Sequence, residues 1–289
     1  MIANTLTEIK NRVHARLCYQ LFITPLPIPL ESEYRDFAQR ACEFVIKHRT
    51  EKLEFNKPRH YVIHRFAQTD PNAKKVLIAH GWMSRAAYMV RLIRTLHKQG
   101  YDVYAVDFPA HGEAKGLQLP WIDAVSILRD IINTQGPFHA VVGHSFGGSM
   151  LFNLLNLAHQ LSEWQLDIMP ACAILIASPT NMRTPVSNFA RWFKLNGRSY
   201  SLLRDVIIQR SPTSISHLNF RHFVNNGTIP VLCVHGNEDT SVSPQESIIF
   251  CRRYPHASLT LIPNADHVDV LIDNRVEHTV TDFLHNIPN

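Results

Sequence analysis

The chain has 289 residues, of which 45% are hydrophobic, and it carries a formal net charge of +5. This length suits one large domain with an ample core, with room for an inserted subdomain. No block of basic residues with interleaved aromatic side chains is present, so a nucleic-acid partner is not expected.

The N-terminus and the cysteines both indicate a cytoplasmic protein. No basic segment is followed there by an apolar one, and prolines interrupt residues 21–30, so we predict neither a signal peptide nor a membrane span. The five cysteines are an odd number without framework spacing. Cys172 and Cys233 lie in apolar, strand-like runs, so we expect them to be reduced core residues.

Residues 5–24 and 32–48 have the spacing of two amphipathic helices, separated by a proline-rich segment. The apolar stripe of the first consists of Ile9, Val13, Leu17 and Leu21. We expect both helices, an N-terminal extension over residues 1–50, to pack on the main domain or over its entrance. A lipid-surface role is the alternative, because residues 10–16 carry three basic side chains.

Beyond this extension, short apolar runs alternate with helical segments. The predicted strands are 60–66 (an antiparallel edge strand), 76–79, 102–107, 138–142, 173–177, 231–234 and 259–262. The predicted helices are 84–99, 121–134, 149–160, 244–253 and 276–285. This alternation predicts an α/β fold with a mostly parallel sheet covered by helices on both faces. Right-handed crossovers would bring the loops after the strands to one edge, where such sheets bind ligands.

The segment Gly143-His-Ser-Phe-Gly147 lies between a predicted strand and a predicted helix. A G-x-S-x-G elbow requires this context, because the sharp turn lifts the serine hydroxyl above the sheet and the glycines prevent clashes. Ser145 is therefore the candidate nucleophile. A serine needs a base and an orienting acid to become reactive.

Candidates for both groups follow later strands. His267 comes after the strand at 259–262, and Asp239 comes after the strand at 231–234. Glu238, Asp266 and Asp269 compete with Asp239, which is preferred because it follows a glycine turn at the rim of the sheet. The chain order of Ser145, Asp239 and His267 is that of the α/β-hydrolase triad.

With these motifs, and with His80-Gly81-Trp82 and Asp107-Phe-Pro-Ala-His-Gly112, residues 60–285 resemble an α/β-hydrolase-fold serine hydrolase. The resemblance implies that Ser145 attacks a carbonyl, that His267 takes its proton and that Asp239 fixes the imidazole tautomer. It also implies that the backbone N–H groups of Trp82 and Phe146 bind the oxyanion. No cofactor or metal is implied. The family's Asp-x-x-Gly-x-Gly-x-Ser loop is altered here, with Ala110 in place of one glycine and Ala114 in place of the serine. We interpret that loop as structural, so we do not expect the change to affect catalysis.

Residues 183–228, within the main domain at 51–289, occupy the place where this family often inserts a cap over the active site. We expect a small helical cap. It is strongly basic, with Asp205 as its one acid against seven cations: Arg183, Arg191, Lys194, Arg198, Arg204, Arg210 and Arg221. This charge leaves open an anionic substrate, which the basic surface would steer inward.

A serine at the elbow forms an acyl-enzyme, so the substrates are esters, thioesters or amides. We expect a carboxylic ester hydrolase, similar to carboxylesterases and lipases, that acts on a small-molecule ester or acyl substrate. Two alternatives stay open. One is a thioesterase or acyltransferase acting on an anionic carrier, and the other is a non-catalytic ligand receptor that keeps the fold.

Overall fold

One sheet of eight strands runs through the residues that a computed structural model describes, 2–26, 32–210, 223–225 and 227–288. The strands are β1 Glu51–Phe55, β2 Tyr61–Phe66, β3 Lys75–Ala79, β4 Asp102–Asp107, β5 Ala140–His144, β6 Cys172–Ile176, β7 Val231–Gly236 and β8 Ala257–Ile262. Their order in space is β1-β2-β4-β3-β5-β6-β7-β8. β2 is antiparallel to β1 and β4, and the other neighbours are parallel. The predicted α/β fold with a mostly parallel sheet is confirmed.

Helices precede, connect and follow these strands. They are α1 Ile2–Phe22, α2 Ser32–His48, α3 Val90–Lys98, α4 Trp121–Gln135, α5 Phe146–Ala158, α6 Arg183–Trp192, α7 Gly197–Gln209, α8 Gln245–Arg253 and α9 Asn274–His285. The single helix predicted over 84–99 is wrong in one respect. A 3-10 helix, Ala86–Met89, comes first, and the α-helix begins only at Val90.

The strand predicted at 60–66 is present as the antiparallel β2, but its predicted position at the edge of the sheet is wrong. β1 pairs with β2 along its whole length, from Glu51 opposite Arg65 to Phe55 opposite Tyr61, so β1 is the edge. β1 has the short sequence Glu-Lys-Leu-Glu-Phe and is largely exposed. Charged side chains on a short edge strand discourage pairing with another chain, but they also hide the strand from a search for apolar runs.

Side chains alternate along each central strand and so build one core on each face of the sheet. On β5, Val141 belongs to the core under α4 and α5, whereas Val142 belongs to the core on the opposite face. Leu77 and Ile78 of β3 divide in the same way. Burial on both faces explains why these strands are continuous apolar runs. Cys172 and Cys233 are buried in β6 and β7 with free thiols.

The N-terminal helix α1 packs against α7, and α2 packs against the 3-10 helix and α3. The face that α1 buries carries Ala15, Cys18 and Tyr19. The stripe expected to pack, Ile9, Val13, Leu17 and Leu21, is instead exposed. Both faces of α1 carry apolar side chains, and periodicity alone does not say which face a neighbour covers.

The helices α6 and α7 lie between β6 and β7 in the chain. Of the predicted cap, residues 211–222 and 226, with Arg221, lie outside the described residues. The boundaries at residues 50 and 183–228 stay predictions.

Candidate active site

The candidate nucleophile lies at the turn from β5 into α5. Ser145 has φ 48° and ψ −115°, a conformation that costs a residue other than glycine about 1–3 kcal/mol. The backbone on both sides holds it there, because the N–H of Ser145 donates to the carbonyl of Ile176 over 2.9 Å. Its carbonyl accepts from the N–H of Ser149 over 2.9 Å.

Two glycines allow this tight turn. A Cβ on Gly143 would lie 2.3 Å from the nitrogen of Gly148. A Cβ on Gly147 would lie 2.4 Å from the carbonyl oxygen of Ala79, at the end of β3. The start of α5 therefore rests directly on β5 and on the end of β3, and no side chain fits between them.

Both predicted partners of Ser145 lie within hydrogen-bond distance in one chain of contacts. Nε2 of His267 is 2.9 Å from Oγ of Ser145, and Nδ1 of His267 is 2.7 Å from Oδ2 of Asp239. A carboxylate only accepts, so Nδ1 carries the proton and Nε2 is left to accept from the serine hydroxyl. This arrangement provides a nucleophile, a base and an orienting acid.

The carboxylate of Asp239 is buried and fully satisfied. Oδ1 accepts the N–H groups of Ser241 and Val242 over 2.9 Å and 2.8 Å. Nε2 of His235 lies 3.2 Å from Oδ2, next to the contact with His267. Burial alone would raise the pKa of Asp239, but the hydrogen bonds from His235 and His267 outweigh it and hold that pKa below its usual range. Asp239 therefore stays ionised beside His267.

The competing acids are not part of this chain of contacts. Asp266 is exposed and closes a local turn, with Oδ1 accepting the N–H groups of Val268 and Asp269. Asp269 accepts in return from the N–H of Asp266 over 3.1 Å. Glu238 is exposed. Asp266 and Asp269 shape the loop around His267, whose Nδ1 and Nε2 contact Asp239 and Ser145 instead.

The predicted oxyanion groups lie on two adjoining segments. Phe146 is the first residue of α5, so its N–H has no acceptor within the helix. Trp82 follows β3, and its ring packs 5.3 Å from that of Phe146. Gly147 brings this strand end against the helix start, so both backbone segments adjoin Ser145.

The comparisons with known proteins agree with the fold that carries this site. A model of the alpha/beta hydrolase family matches residues 76–277. The chain belongs to this family. The pimeloyl-[acyl-carrier protein] methyl ester esterase of Nitrosomonas europaea is 23% identical over 238 residues, which are 71% of this chain and 92% of that protein.

Solved structures of esterases share the fold of this family member. An esterase from Pyrococcus furiosus has a TM-score of 0.61 at 19% identity, covering 92% of this chain and 98% of its own. The naproxen esterase of Bacillus subtilis has a TM-score of 0.58 at 14% identity, covering 88% and 99%. At these identities the likeness shows the fold alone. Together with the family match, it supports a hydrolase.

Sequence analysis missed the role of His111 in the loop after β4. Nε2 of His111 accepts the N–H of Met83 over 3.1 Å, and Nδ1 donates to the carbonyl of Pro109 over 2.8 Å. Burial lowers the pKa of His111 to about 3, so the ring is neutral and keeps this tautomer. The ring of Trp82 packs 5.2 Å from it. His111 therefore positions the segment that carries the Trp82 amide.

Asp107 anchors the same loop. It accepts the N–H groups of Ala86 and Glu113 over 2.7 Å and 2.8 Å, and it lies 2.9 Å from Nε2 of His64. Burial acts to raise the pKa of Asp107, but the hydrogen bond to His64 and the nearby His80 hold it at about 2. The interpretation of this loop as structural fits these contacts. Ala110 adopts a φ of 63° there, where the family pattern has glycine.

A second histidine contacts the backbone of the candidate base. Nε2 of His144 donates to the carbonyl oxygen of His267 over 3.0 Å, and the two rings are 5.0 Å apart. The pKa of His144 is lowered to about 3, mainly by burial and secondly by the nearby His267. Its Nδ1 has no partner among the described residues. Sequence gave no signal for this contact, because the two residues are 123 positions apart.

The described residues contain no group of three or more His, Cys, Asp or Glu side chains suited to a metal ion. No helix among them is long and apolar enough to cross a membrane.

Proposed function

We propose that the protein is a carboxylic ester hydrolase that works through an acyl-enzyme on Ser145. The observation that carries this proposal is the pair of contacts made by His267, 2.9 Å to Oγ of Ser145 and 2.7 Å to Asp239. A serine held at φ 48° between a strand and a helix supports it, because such strain persists only where the surroundings impose it.

In the first half-reaction, Oγ of Ser145 attacks the acyl carbon while His267 Nε2 takes the hydroxyl proton. The tetrahedral oxyanion is stabilised by the N–H groups of Trp82 and Phe146. When the C–O bond to the leaving group breaks, His267 returns the proton to the departing alkoxide. An alcohol and an acyl-Ser145 ester result.

In the second half-reaction, His267 removes a proton from water, and the resulting hydroxide attacks the acyl carbon. The bond to Oγ then breaks, and His267 gives the proton back to Ser145. The products are the carboxylic acid and the regenerated enzyme. Asp239 stays ionised throughout, since its pKa is held below the usual range, and it stabilises the imidazolium that forms twice in each cycle.

The proposed cap over residues 183–228 would shape the acyl and leaving-group sites. Its described cations lie on or beside α6 and α7, and two of them cover aromatic rings, Arg204 over Tyr200 and Arg210 over Tyr19. This charge supports an anionic substrate. It also keeps open the alternative of a thioesterase or acyltransferase acting on a phosphate-bearing carrier.

The test is fluorophosphonate labelling followed by turnover of p-nitrophenyl esters of graded chain length beside acyl-CoA thioesters. Ser145→Ala should abolish labelling and reduce kcat by about a million-fold. Ser178→Ala is the matched control, because the Ser178 hydroxyl is buried near the elbow and donates to the Ile176 carbonyl over 2.9 Å. It should still label.

Three outcomes would contradict parts of the proposal. Labelling that survives in Ser145→Ala would show that Ser145 is not the nucleophile. A strong preference for CoA thioesters would show that the protein is a thioesterase and not a carboxylic ester hydrolase. Labelling without turnover of any ester or thioester would favour the ligand receptor.

A further inference from the structure

The face of α1 that points away from the protein carries an apolar ridge among polar and basic side chains. Ile9, Val13, Leu17 and Leu21 are 53%, 51%, 59% and 42% exposed, and they recur every fourth residue. That spacing places them along one side of the helix, in a ridge about 18 Å long at 1.5 Å per residue. Single exposed apolar side chains are ordinary, but a continuous ridge indicates a surface that binds something.

Two cationic side chains lie beside this ridge. A cavity of about 200 Å³ lies between α1 and α7, and its lining residues are Arg16, Tyr19, Gln20, Val206, Gln209 and Arg210. Arg16 and Gln20 come three residues after Val13 and Leu17, so they neighbour the ridge on the helix surface. Two guanidinium groups and two side-chain amides provide the donors that a phosphate group accepts.

The net charge of α1 also favours an anionic partner. α1 carries Lys10, Arg12 and Arg16 against one acid, Glu8, and residues 9–26 contain no Asp or Glu. The segment that α1 packs against, α7, lies in the strongly basic stretch at 183–228. An apolar ridge bordered by cations is the pattern of a helix that lies in the plane of an anionic membrane surface.

Exposed aromatic side chains adjoin the C-terminal end of α1. Phe22 packs 5.2 Å from Phe189 of α6, and Phe189 packs 4.4 Å from Phe193. Trp192 is 71% exposed and Phe193 is 39% exposed. Tryptophan favours the boundary between headgroups and acyl chains, where its ring is partly apolar and its N–H stays hydrated.

We propose that α1 docks this protein on the surface of an anionic phospholipid bilayer. Ile9, Val13, Leu17 and Leu21 enter the boundary of the acyl region. Arg16 and Arg210 bind a lipid phosphate in the cavity between α1 and α7. The binding is peripheral, and it does not depend on the ester hydrolysis proposed above.

A second copy of the chain is a less suitable occupant. Pairing two ridges would bring the cations beside each of them together, and like charges at close range repel. Anionic headgroups neutralise the same cations. Each lysine or arginine near such a surface adds about five-fold to the binding constant, and this contribution falls with salt.

The experiment uses the full chain and sedimentation with vesicles. Phosphatidylcholine vesicles are compared with vesicles that also contain phosphatidylglycerol, at low and high salt. The ridge variant is Val13→Glu with Leu17→Glu, and the cavity variant is Arg16→Glu with Arg210→Glu. Ile168→Glu is the matched control, because Ile168 is 56% exposed and lies outside α1, in the segment before β6.

Wild-type protein should bind the anionic vesicles at least about ten-fold more tightly than the neutral ones. The ridge and cavity variants should each lose about ten-fold or more, and Ile168→Glu should bind as wild type does. Thermal unfolding by circular dichroism should give the ridge variant the midpoint of wild type, because the substituted side chains are exposed in the free protein.

Four results would overturn the proposal. The first is equal vesicle binding by wild type and the ridge variant, and the second is a loss of binding in Ile168→Glu as large as in the ridge variant. Release from vesicles by glycerol 3-phosphate would assign the cavity to a small soluble anion. A dimer in sedimentation velocity without lipid, abolished in the ridge variant, would assign the ridge to a second copy.

Discussion

Substitution of Gly147 by alanine tests whether backbone contact positions the oxyanion segment. The new methyl group would lie 2.4 Å from the carbonyl oxygen of Ala79 and 2.5 Å from that of His80. These distances are about 1 Å shorter than an ordinary van der Waals contact. Both oxygens belong to the backbone at the end of β3, so the strand end or the helix start must move. Trp82, two residues after His80, moves with that strand end.

The expected cost follows from that displacement. A shift of about 1 Å at a reacting group lowers the rate by about a hundred-fold, and losing one oxyanion donor lowers it by about a hundred- to a thousand-fold. We therefore expect kcat for a soluble p-nitrophenyl ester to fall by about two orders of magnitude. KM should change little, because the oxyanion exists only at the transition state. Overpacking should also lower the free energy of unfolding by about 1–3 kcal/mol.

The assay reports kcat per active site, with fluorophosphonate titration counting the sites that are folded. Gly197→Ala is the control, since no atom lies within 4 Å of a Cβ placed there and alanine suits the first turn of α7. It should retain wild-type kcat. If Gly147→Ala titrates fully and keeps kcat within about three-fold of wild type, the contact with the end of β3 does not position the oxyanion segment.

Three further predictions concern charge. Asp239→Asn should lower kcat by about ten-thousand-fold, whereas Asp266→Asn should cost far less; the reverse order in steady-state kinetics would place the acid on the other loop. The pKa of His111 is about 3 in the folded protein and 6.5 in the unfolded chain. As pH falls, the unfolded chain therefore binds the proton first, and the stability that is present above pH 6.5 is lost as pH falls toward 3. Urea unfolding at several pH values gives the slope of the unfolding free energy against pH. His111→Gln should reduce this slope by about 1.4 kcal/mol per pH unit between pH 6.5 and 3, and equal slopes in the two proteins would show that His111 is not buried in its neutral form. If the basic segment at 183–228 steers substrates, kcat/KM should fall with salt for an anionic ester and stay level for a matched neutral one; an equal response would exclude steering.

The parts of the site that sequence could predict are those attached to strands. Ser145, Asp239 and His267 each follow a buried apolar run, and parallel strands bring their carboxyl ends to one edge. Their order along the chain, serine, then acid, then histidine, is the one typical of the α/β-hydrolase triad. The proximity of these three groups follows from topology, so local patterns were sufficient to predict it.

The missed residues depend on tertiary contacts that carry no local pattern. His111 meets Met83 and His144 meets His267 only after the strands assemble, and a lone histidine among 17 gives no sign of such a partner. β1 was missed because its charged residues hide a short strand. The orientation of α1 was wrong because the surface of α7 decides which apolar face is covered, and that surface exists only in the fold.

Contacts in the middle and at the C-terminal end of α1 join it to the segment after β6. His14 lies 3.0 Å from Ser199, Arg210 covers Tyr19 at 4.8 Å, and Phe22 packs against Phe189. Phe189 in turn packs against the same apolar core as Trp82 and Phe146, which adjoin the candidate nucleophile. A bilayer that holds α1 would therefore also hold α6 and α7 at its surface. An ester carried in that bilayer would then reach the protein on the side where α1 meets α6 and α7, whereas a soluble ester would gain nothing from α1.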